Sequence, residues 1–453
     1  MTESLEQWLR REYDHAATAM LRSISAVALT KERPGFGQTV RPVAGSIVAS
    51  PVLASWDPDP DYFFHWFRDS AIVIDAVRLL YEAGHLGPEA VTHFEDFVRF
   101  SLSLQTLDGR ALVESPHWRL KVLPDFVQYL RGDDLLMVSG DAVYADARVN
   151  PDGTLDISRW TRPQHDGAPL RALAVRRWLR TLGTRPAGTR TLRGETLADA
   201  ARLLRADLAL TAVHWREPSL DIWEEELGHH YYTLRVAAAA LNEGADWLLA
   251  SGEAQASEAA ALRAEALAIR ETLDGYWLPL EKHYRSRVMP PGVASRKMLD
   301  IAVILAAVHA DAGDDAHSVR DARMHATLDE LTRLFDGLYP INRQRLGARG
   351  PAMGRYEGDV YFSGGAYYFS TLGAAEFCFL AAGAHIQGSA ERAAWIARGD
   401  AFLETVRAFT PASGDLSEQF DQRTGEQTSA KHLAWSYAAF ISSVTARRAV
   451  LPP

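Results

Sequence analysis

The sequence predicts an all-α protein: a closed ring of paired helices whose long loops gather at one end around a pocket. Three observations carry this. Helical periodicity dominates the chain, clear strand alternation is rare, and long connections alternate with short ones. Helical segments are expected at 2–29, 69–84, 88–106, 167–183, 196–213, 230–250, 254–277, 297–312, 319–336, 363–384, 389–408 and 430–449, about a dozen in all.

Taken in order, the first segment is amphipathic and mixed in charge, and the second emerges from an aromatic loop ending at Ser70. Ala-rich stretches, Val236 to Leu241 and Ile301 to Val308, present small side chains that let helices approach closely around a shared centre. The only cysteine, Cys378, sits between Phe377 and Phe379 and is expected to pack as a small hydrophobe; one thiol allows no intrachain disulfide. Long connections occupy 30–66, 108–166, 214–229, 278–296, 337–362 and 409–429, whereas the joins at 85–87, 251–253 and 313–318 are short. Loops of such length in a compact domain usually serve function. No low-complexity linker divides the chain, so one domain over 1–453 is expected.

With 47% apolar and 23% charged residues the chain has globular composition, which excludes a disordered protein. A net charge of −10 argues against nucleic-acid or anionic-membrane partners, which need basic patches. A neutral, soluble ligand suits it better. The N-terminal stretch lacks the basic start and apolar core of a secretory signal, and no run of about 20 apolar residues follows. A cytoplasmic location is the expectation. His65, His165, His229, His230 and His432 are scattered or adjacent, so no metal site is expected.

The residues that carry chemistry lie in the long loops. Ser219-Leu-Asp-Ile-Trp-Glu-Glu-Glu226 sets an acidic cluster against an indole, and an isolated carboxylate, Glu418, stands far downstream in Gly414-Asp-Leu-Ser-Glu-Gln-Phe-Asp421. Acidic residues before a helix can simply complement its dipole. Two carboxyl groups brought together from distant positions can instead divide acid and base roles, as glycoside hydrolysis requires. In Pro60-Asp-Tyr-Phe-Phe-His-Trp-Phe-Arg-Asp-Ser70, aromatic faces suit the apolar faces of sugar rings and an Arg-Asp pair suits hydroxyl groups, although Asp69 or Ser70 would also serve as a helix cap. Trp160-Thr-Arg-Pro-Gln-His-Asp-Gly167 offers a further polyol-compatible lining, and Gly354-Arg-Tyr-Glu-Gly-Asp-Val-Tyr361 combines Arg355 with aromatics.

Together with Gly425-Glu-Gln-Thr-Ser-Ala430 and Leu433-Ala-Trp-Ser-Tyr-Ala438, these motifs resemble the glucoamylase family of inverting α-glucosidases, in family order across 45–440. The resemblance implies an (α/α)6 barrel and a glycoside hydrolase that needs no cofactor. It implies Glu224 as general acid and Glu418 as general base. It places Arg68 and Asp69 on the hydroxyls of a terminal glucose between Tyr62 and Trp66, with Trp160, Trp223, Glu225 and Arg355 near the scissile bond. Tyr367 stands where the family carries a tryptophan, which is expected to reshape the leaving-sugar side. Glu224, beside Trp223 and near Glu225, is expected to hold its proton at neutral pH, and Glu418 to stay ionised.

The implied activity is exo-hydrolysis of short α-1,4 gluco-oligosaccharides from the non-reducing end, releasing β-glucose, with no starch-binding module. An α-1,6-preferring glucohydrolase or a trehalase is the alternative. A silent carbohydrate-binding or regulatory domain has no reason to keep both carboxylates, and a phosphorylase needs no base such as Glu418.

Overall fold

The computed structural model describes residues 3–55, 58–183, 194–311, 316–343 and 347–452. Among them are twelve helices of nine residues or more. In chain order they are α1 (Leu5–Leu21), α2 (Phe67–Glu82), α3 (Pro88–Ser103), α4 (Gly167–Gly183), α5 (Gly194–His214) and α6 (Tyr231–Ala250). There follow α7 (Ala256–Asp274), α8 (Ala302–Ala310), α9 (Ala322–Leu338), α10 (Tyr368–Gly383), α11 (Ala390–Phe409) and α12 (Ala434–Val450).

The even-numbered helices form an inner ring. Each packs on the next, from α2 through α4, α6, α8 and α10 to α12, and α12 packs back on α2. The odd-numbered helices lie outside, each against an inner partner. This is the (α/α)6 barrel. The sequence reason is visible in α6, where Val236-Ala-Ala-Ala-Ala-Leu241 is buried throughout, and in α8, which is buried on nearly every side. A helix apolar all round belongs in a core, while the amphipathic α1 and α9 belong outside. Cys378 is buried in α10 as a free thiol.

Inner and outer helices begin differently. Ser4, Asp321 and Ser389 cap the outer helices α1, α9 and α11 with their side chains. Trp66, His230, Tyr367 and Leu433 precede the inner helices α2, α6, α10 and α12 with no side-chain cap. Backbone carbonyls of neighbouring long loops take over that task. Phe67 N–H donates to Ala147 O (3.2 Å), Tyr231 N–H to Ser286 O (2.8 Å) and Ala434 N–H to Ala49 O (2.8 Å). Asp69 and Ser70 lie inside the first turn of α2, so the capping alternative for them does not hold.

Short strands then join one long loop to the next. Residues 65–66 pair with 148–149, 229–230 with 287–288, and 366–367 with 419–420. These pairings explain where the predicted helix bounds were too generous. The first helix ends at Leu21 because Ile24 bridges Ile47. Residues 297–301 stay out of α8 because Asp300 bridges Tyr356, and α10 begins at Tyr368 because Ala366 and Tyr367 are strand. Residues 313–315 of the predicted join at 313–318 lie outside the described residues.

Loop 108–166 carries five short helical turns between Arg110 and Ala145, a stretch that aperiodic sequence gave no means of resolving. At the far end of the barrel a cavity of about 190 Å³ separates the inner helices, lined by Asp75, Arg177 and Glu376 among alkyl groups.

Where two loops meet, backbone approaches backbone. A Cβ on Gly365 would lie 2.3 Å from the Phe420 carbonyl oxygen, which is fixed in its strand and cannot swing aside. Gly365→Ala is expected to lower stability by about 2 kcal/mol, the cost of forced overpacking, read as a shift in urea midpoint. An unchanged midpoint would mean that the two strands part freely.

Candidate active site

The long loops and the first turns of α2, α10 and α12 enclose a cavity of about 390 Å³. Tyr62, Trp66, Arg68, Asp69, Trp160, Trp223, Glu224, Glu225, Arg355 and Glu418, drawn from distant parts of the chain, all line it. Its size and mixed lining are those of a small-molecule site.

Glu224 is aimed into this space by a tight turn. Asp221 Oδ1 accepts from the backbone N–H groups of Trp223 (2.9 Å) and Glu225 (3.0 Å), and Glu224 itself adopts a left-handed backbone with φ of +64°. Such a conformation costs a non-glycine residue about 1–2 kcal/mol, and the surroundings must hold it. They do so through Arg287. This buried guanidinium pairs with Asp221 (2.8 Å), Glu226 (2.8 Å) and Asp300 (2.7 Å). Asp300 also accepts from the Trp223 indole at 2.9 Å.

The Glu224 carboxyl then meets three donors. Trp66 Nε1–H donates to Oε1 at 2.8 Å, Arg68 Nη2 to the same oxygen at 3.3 Å, and Trp160 Nε1–H to Oε2. The expected flanking by Trp223 and Glu225 is therefore corrected. Trp223 turns to Asp300, and Glu225 turns to Arg355 (3.0 Å), Tyr356 (2.5 Å) and Lys297 (2.5 Å). Burial alone would raise the Glu225 pKa, but Arg355 and the Lys297 and Tyr356 hydrogen bonds outweigh it and hold it below the usual carboxylate value.

Glu418 sits on the strand 417–420 and is 8% exposed. Tyr62 OH donates to it at 3.4 Å and Ser429 Oγ donates to its other oxygen. Burial pushes its pKa up to about 7, against the lowering effect of Ser429 and Arg355. The expectation that Glu418 stays ionised therefore holds fully only above about pH 7, because burial desolvates it more than its donors repay.

Arg68 and Asp69 are ion-paired at 3.1 Å in the first turn of α2, and Arg68 also faces Asp166 at 3.7 Å. Arg68 Nε and Nη1 and Asp69 Oδ2 are buried without hydrogen-bond partners. Buried polar atoms normally find partners. Here their charges face one another and Asp166, while the two side chains as a whole form part of the cavity wall.

Tyr367 does not line the cavity. It is 1% exposed, donates to Asp359 (3.3 Å) and accepts from Gln419 (2.7 Å), behind the Arg355–Asp359 pair. Three contributors escaped the sequence reading. Arg148 stacks its guanidinium on the rings of Phe64 (4.0 Å), Trp66 (4.7 Å) and Trp160 (3.7 Å), fixed by Asp156 at 2.9 Å. Tyr361 shares a hydroxyl contact with Tyr62 at 2.9 Å, and Trp435 lies under Arg68 with its guanidinium 5.3 Å from the ring. Tyr361 and Trp435 stand in noted motifs, whereas nothing local marks Arg148.

The profile of a family described as "Glycosyl hydrolases family 15" matches residues 20–105 and 148–445, skipping the short helical turns of the long loop. A glucoamylase of Blastobotrys adeninivorans is 26% identical over 89% of the chain, which spans 68% of that relative, and one of Neurospora crassa is 26% identical with 64% of its length spanned. A probable glucoamylase of Schizosaccharomyces pombe is 28% identical over 99% of the chain and 93% of its own. Among solved structures, the glucoamylase of Hormoconis resinae superposes with a TM-score of 0.75 at 25% identity, covering 99% of this chain and 76% of that one.

Glu418 has a stability consequence. Its pKa of about 7 in the fold lies above the ordinary 4.5, so its favourable contribution is complete below pH 4.5 and is lost as pH rises through 7. The difference is worth roughly 3 kcal/mol. Glu418→Gln, which cannot ionise, is expected to be more stable than the parent at pH 8 and similar to it at pH 4, measured by urea denaturation. An equal difference at both pH values would refute burial as the cause.

Proposed function

The chain belongs to glycosyl hydrolase family 15, and on that premise we propose that it is an inverting, exo-acting hydrolase of short α-glucosides, with α-1,4 linkages preferred and α-1,6 second. The single observation that carries this reading is the convergence of Glu224 and Glu418, each in a distinct setting, on one cavity beside the buried Arg68–Asp69 ion pair. An α-1,6 preference or trehalose hydrolysis on the same site is the second reading, and the leaving-sugar side would decide it. Since Tyr367 is not at the surface, that side consists of Glu225, Arg355, Tyr356 and Lys297.

In the proposed cycle the terminal glucose enters with its hydroxyls on Arg68 and Asp69 and its ring against Tyr62, Trp66 and Trp435. As general acid, Glu224 gives a proton to the glycosidic oxygen as the C1–O bond breaks. Negative charge then develops on Glu224, where the two indole N–H groups and Arg68 already point, so the donors act as the charge appears. Water attacks C1 from the opposite face and passes its proton to Glu418. A base whose proton affinity lies near neutrality is well matched to that transfer. One displacement inverts the centre and yields β-glucose. Solvent exchange returns a proton to Glu224 and removes one from Glu418.

Proton NMR of fresh product is expected to show the β-anomer first, and early α-glucose would exclude inversion. Glu224→Gln is expected to lose about 10² to 10⁴-fold in kcat on maltose, and much less on α-glucosyl fluoride, whose leaving group needs no proton. Glu418→Gln should lose on both substrates alike. If it hydrolysed maltose normally, another base would have to be found.

The free enzyme's kcat/KM is expected to fall about tenfold per pH unit below about 7, where Glu418 becomes protonated. An acid limb near pH 4 would disconnect Glu418 from water activation. Comparison of maltose, isomaltose, trehalose and chain-end-blocked maltoheptaose, with glucose quantified, separates the linkage readings and tests exo action.

A further inference from the structure

The loop that carries Trp160 and the loop that carries Glu224 meet at their roots as well as at their tips. At the tips, Trp160 donates to the Glu224 carboxyl and Thr161 Oγ1 donates to the Glu224 carbonyl at 2.8 Å. At the roots, Leu220 N–H donates to Pro163 O at 2.9 Å and Gln164 Nε2 donates to Asp221 O at 3.1 Å. Beside those root contacts stand three side chains with a different chemistry. His165 precedes α4, His214 is the last residue of α5, and Glu217 follows one turn later on the segment that runs into Ser219.

One ligand atom from each of these residues lies within 4.8 Å of the other two. The imidazole centroids are 5.5 Å apart, and His214 Nδ1 is 2.9 Å from Glu217 Oε2. His165 Nδ1 is shielded from solvent and has no hydrogen-bond partner, so a lone pair or N–H is left unanswered there. A small void is lined by the same two histidines with Thr211 and Thr233. An imidazole with an unanswered nitrogen, a second imidazole and a carboxylate, each with a donor atom within reach of the others, suit a centre that accepts all three at once.

We propose that His165, His214 and Glu217 bind a divalent first-row cation, zinc foremost, and that this ion staples the root of the Trp160 loop to the root of the Glu224 loop. Two imidazoles and one carboxylate are the donor set of zinc and its neighbours, whereas calcium and magnesium take oxygen ligands. Zinc holds nitrogen and oxygen at about 2.0–2.2 Å, so the three donors must draw closer together. The His214 and Glu217 side chains are 34% and 54% exposed and have room to do so. Solvent completes the shell. The ion lies outside the candidate active site and takes no part in bond breaking; its effect is to hold together the two loops whose contact orients Glu224. The sequence reading treated His165 as an isolated histidine because its partners come from the far end of another helix.

The test uses the whole chain, stripped of metal by chelator dialysis and titrated with zinc chloride by calorimetry, and in parallel with cobalt(II) for its ligand-field spectrum. The expected result is one equivalent bound, a rise in Tm with zinc, and nitrogen-type cobalt bands. His214→Gln and Glu217→Gln should each weaken zinc binding at least about tenfold, in line with loss of a ligand, and abolish the Tm rise. Glu217 is exposed, so that variant should fold even if a histidine variant did not. No binding below about 1 mM zinc, or binding that both substitutions leave unchanged, would overturn the site.

Discussion

Arg287 is the residue on which the arrangement of the site depends. It brings a full positive charge into the interior beside Asp221, Glu226 and Asp300, and each of those carboxylates performs a second task. Asp221 shapes the turn that gives Glu224 its left-handed backbone, and Asp300 anchors the Trp223 indole and the first N–H of α8. Removing one member of such a buried cluster strands the others, which is costly in a way that a surface pair is not. The position of Glu224 is therefore set by the Arg287–Asp221 ion pair as much as by packing. Strand pairing of Arg287 with His230 passes that position on to α6, and so to the barrel.

The other carboxyl is held by comparable means. Ser429, which donates to Glu418, is also left-handed, with φ of +63°. Two non-glycine residues in this strained region, one being a site carboxylate and the other its donor, mark where the chain gives up local stability for direction. The barrel can support this because its inner helices start from backbone contacts with neighbouring loops. A loop that caps the next helix cannot move without uncapping it. The arrangement gives rigid loops without disulfides, and the conformational freedom that a long loop would otherwise keep is removed by its neighbour.

Much of this was legible in sequence. The ring of helices followed from periodicity and from the alternation of long and short joins, since both are local or nearly local signals. Ten of the eleven candidate site residues line one cavity because motifs at loop ends advertise chemistry that the core has no use for. What was not legible depends on partners distant in sequence. Arg148 lies in a stretch with no motif, and its role exists only because Phe64, Trp66 and Trp160 converge on it. Tyr367 shared a motif with cavity residues, yet strand alternation turned it inward to Asp359 and Gln419. The surroundings of the two carboxyls were the least legible of all. The pattern Trp-Glu-Glu suggested an apolar, like-charged setting for Glu224, whereas the turn imposed by Asp221 sends Glu225 to Arg355 and Lys297 and leaves Glu224 among donors.

That reversal changes how the two carboxyls divide their labour. Both side chains are buried, but Glu418 has few donors to offset its desolvation, and Glu224 is surrounded by fixed N–H dipoles and a guanidinium. Donors of this kind contribute most when charge arrives, because they are already oriented and need no rearrangement as the proton leaves. In the proposed reaction the difference between the two carboxyls thus resides in what each environment does to the transition state. Glu224 is rewarded for losing a proton by donors in place, and Glu418 for gaining one by release from the cost of buried charge. Both changes run in the direction of hydrolysis. They also explain why the loops must be rigid, since a donor that drifted from Glu224 by even 1 Å would give up the preorganisation on which that advantage rests.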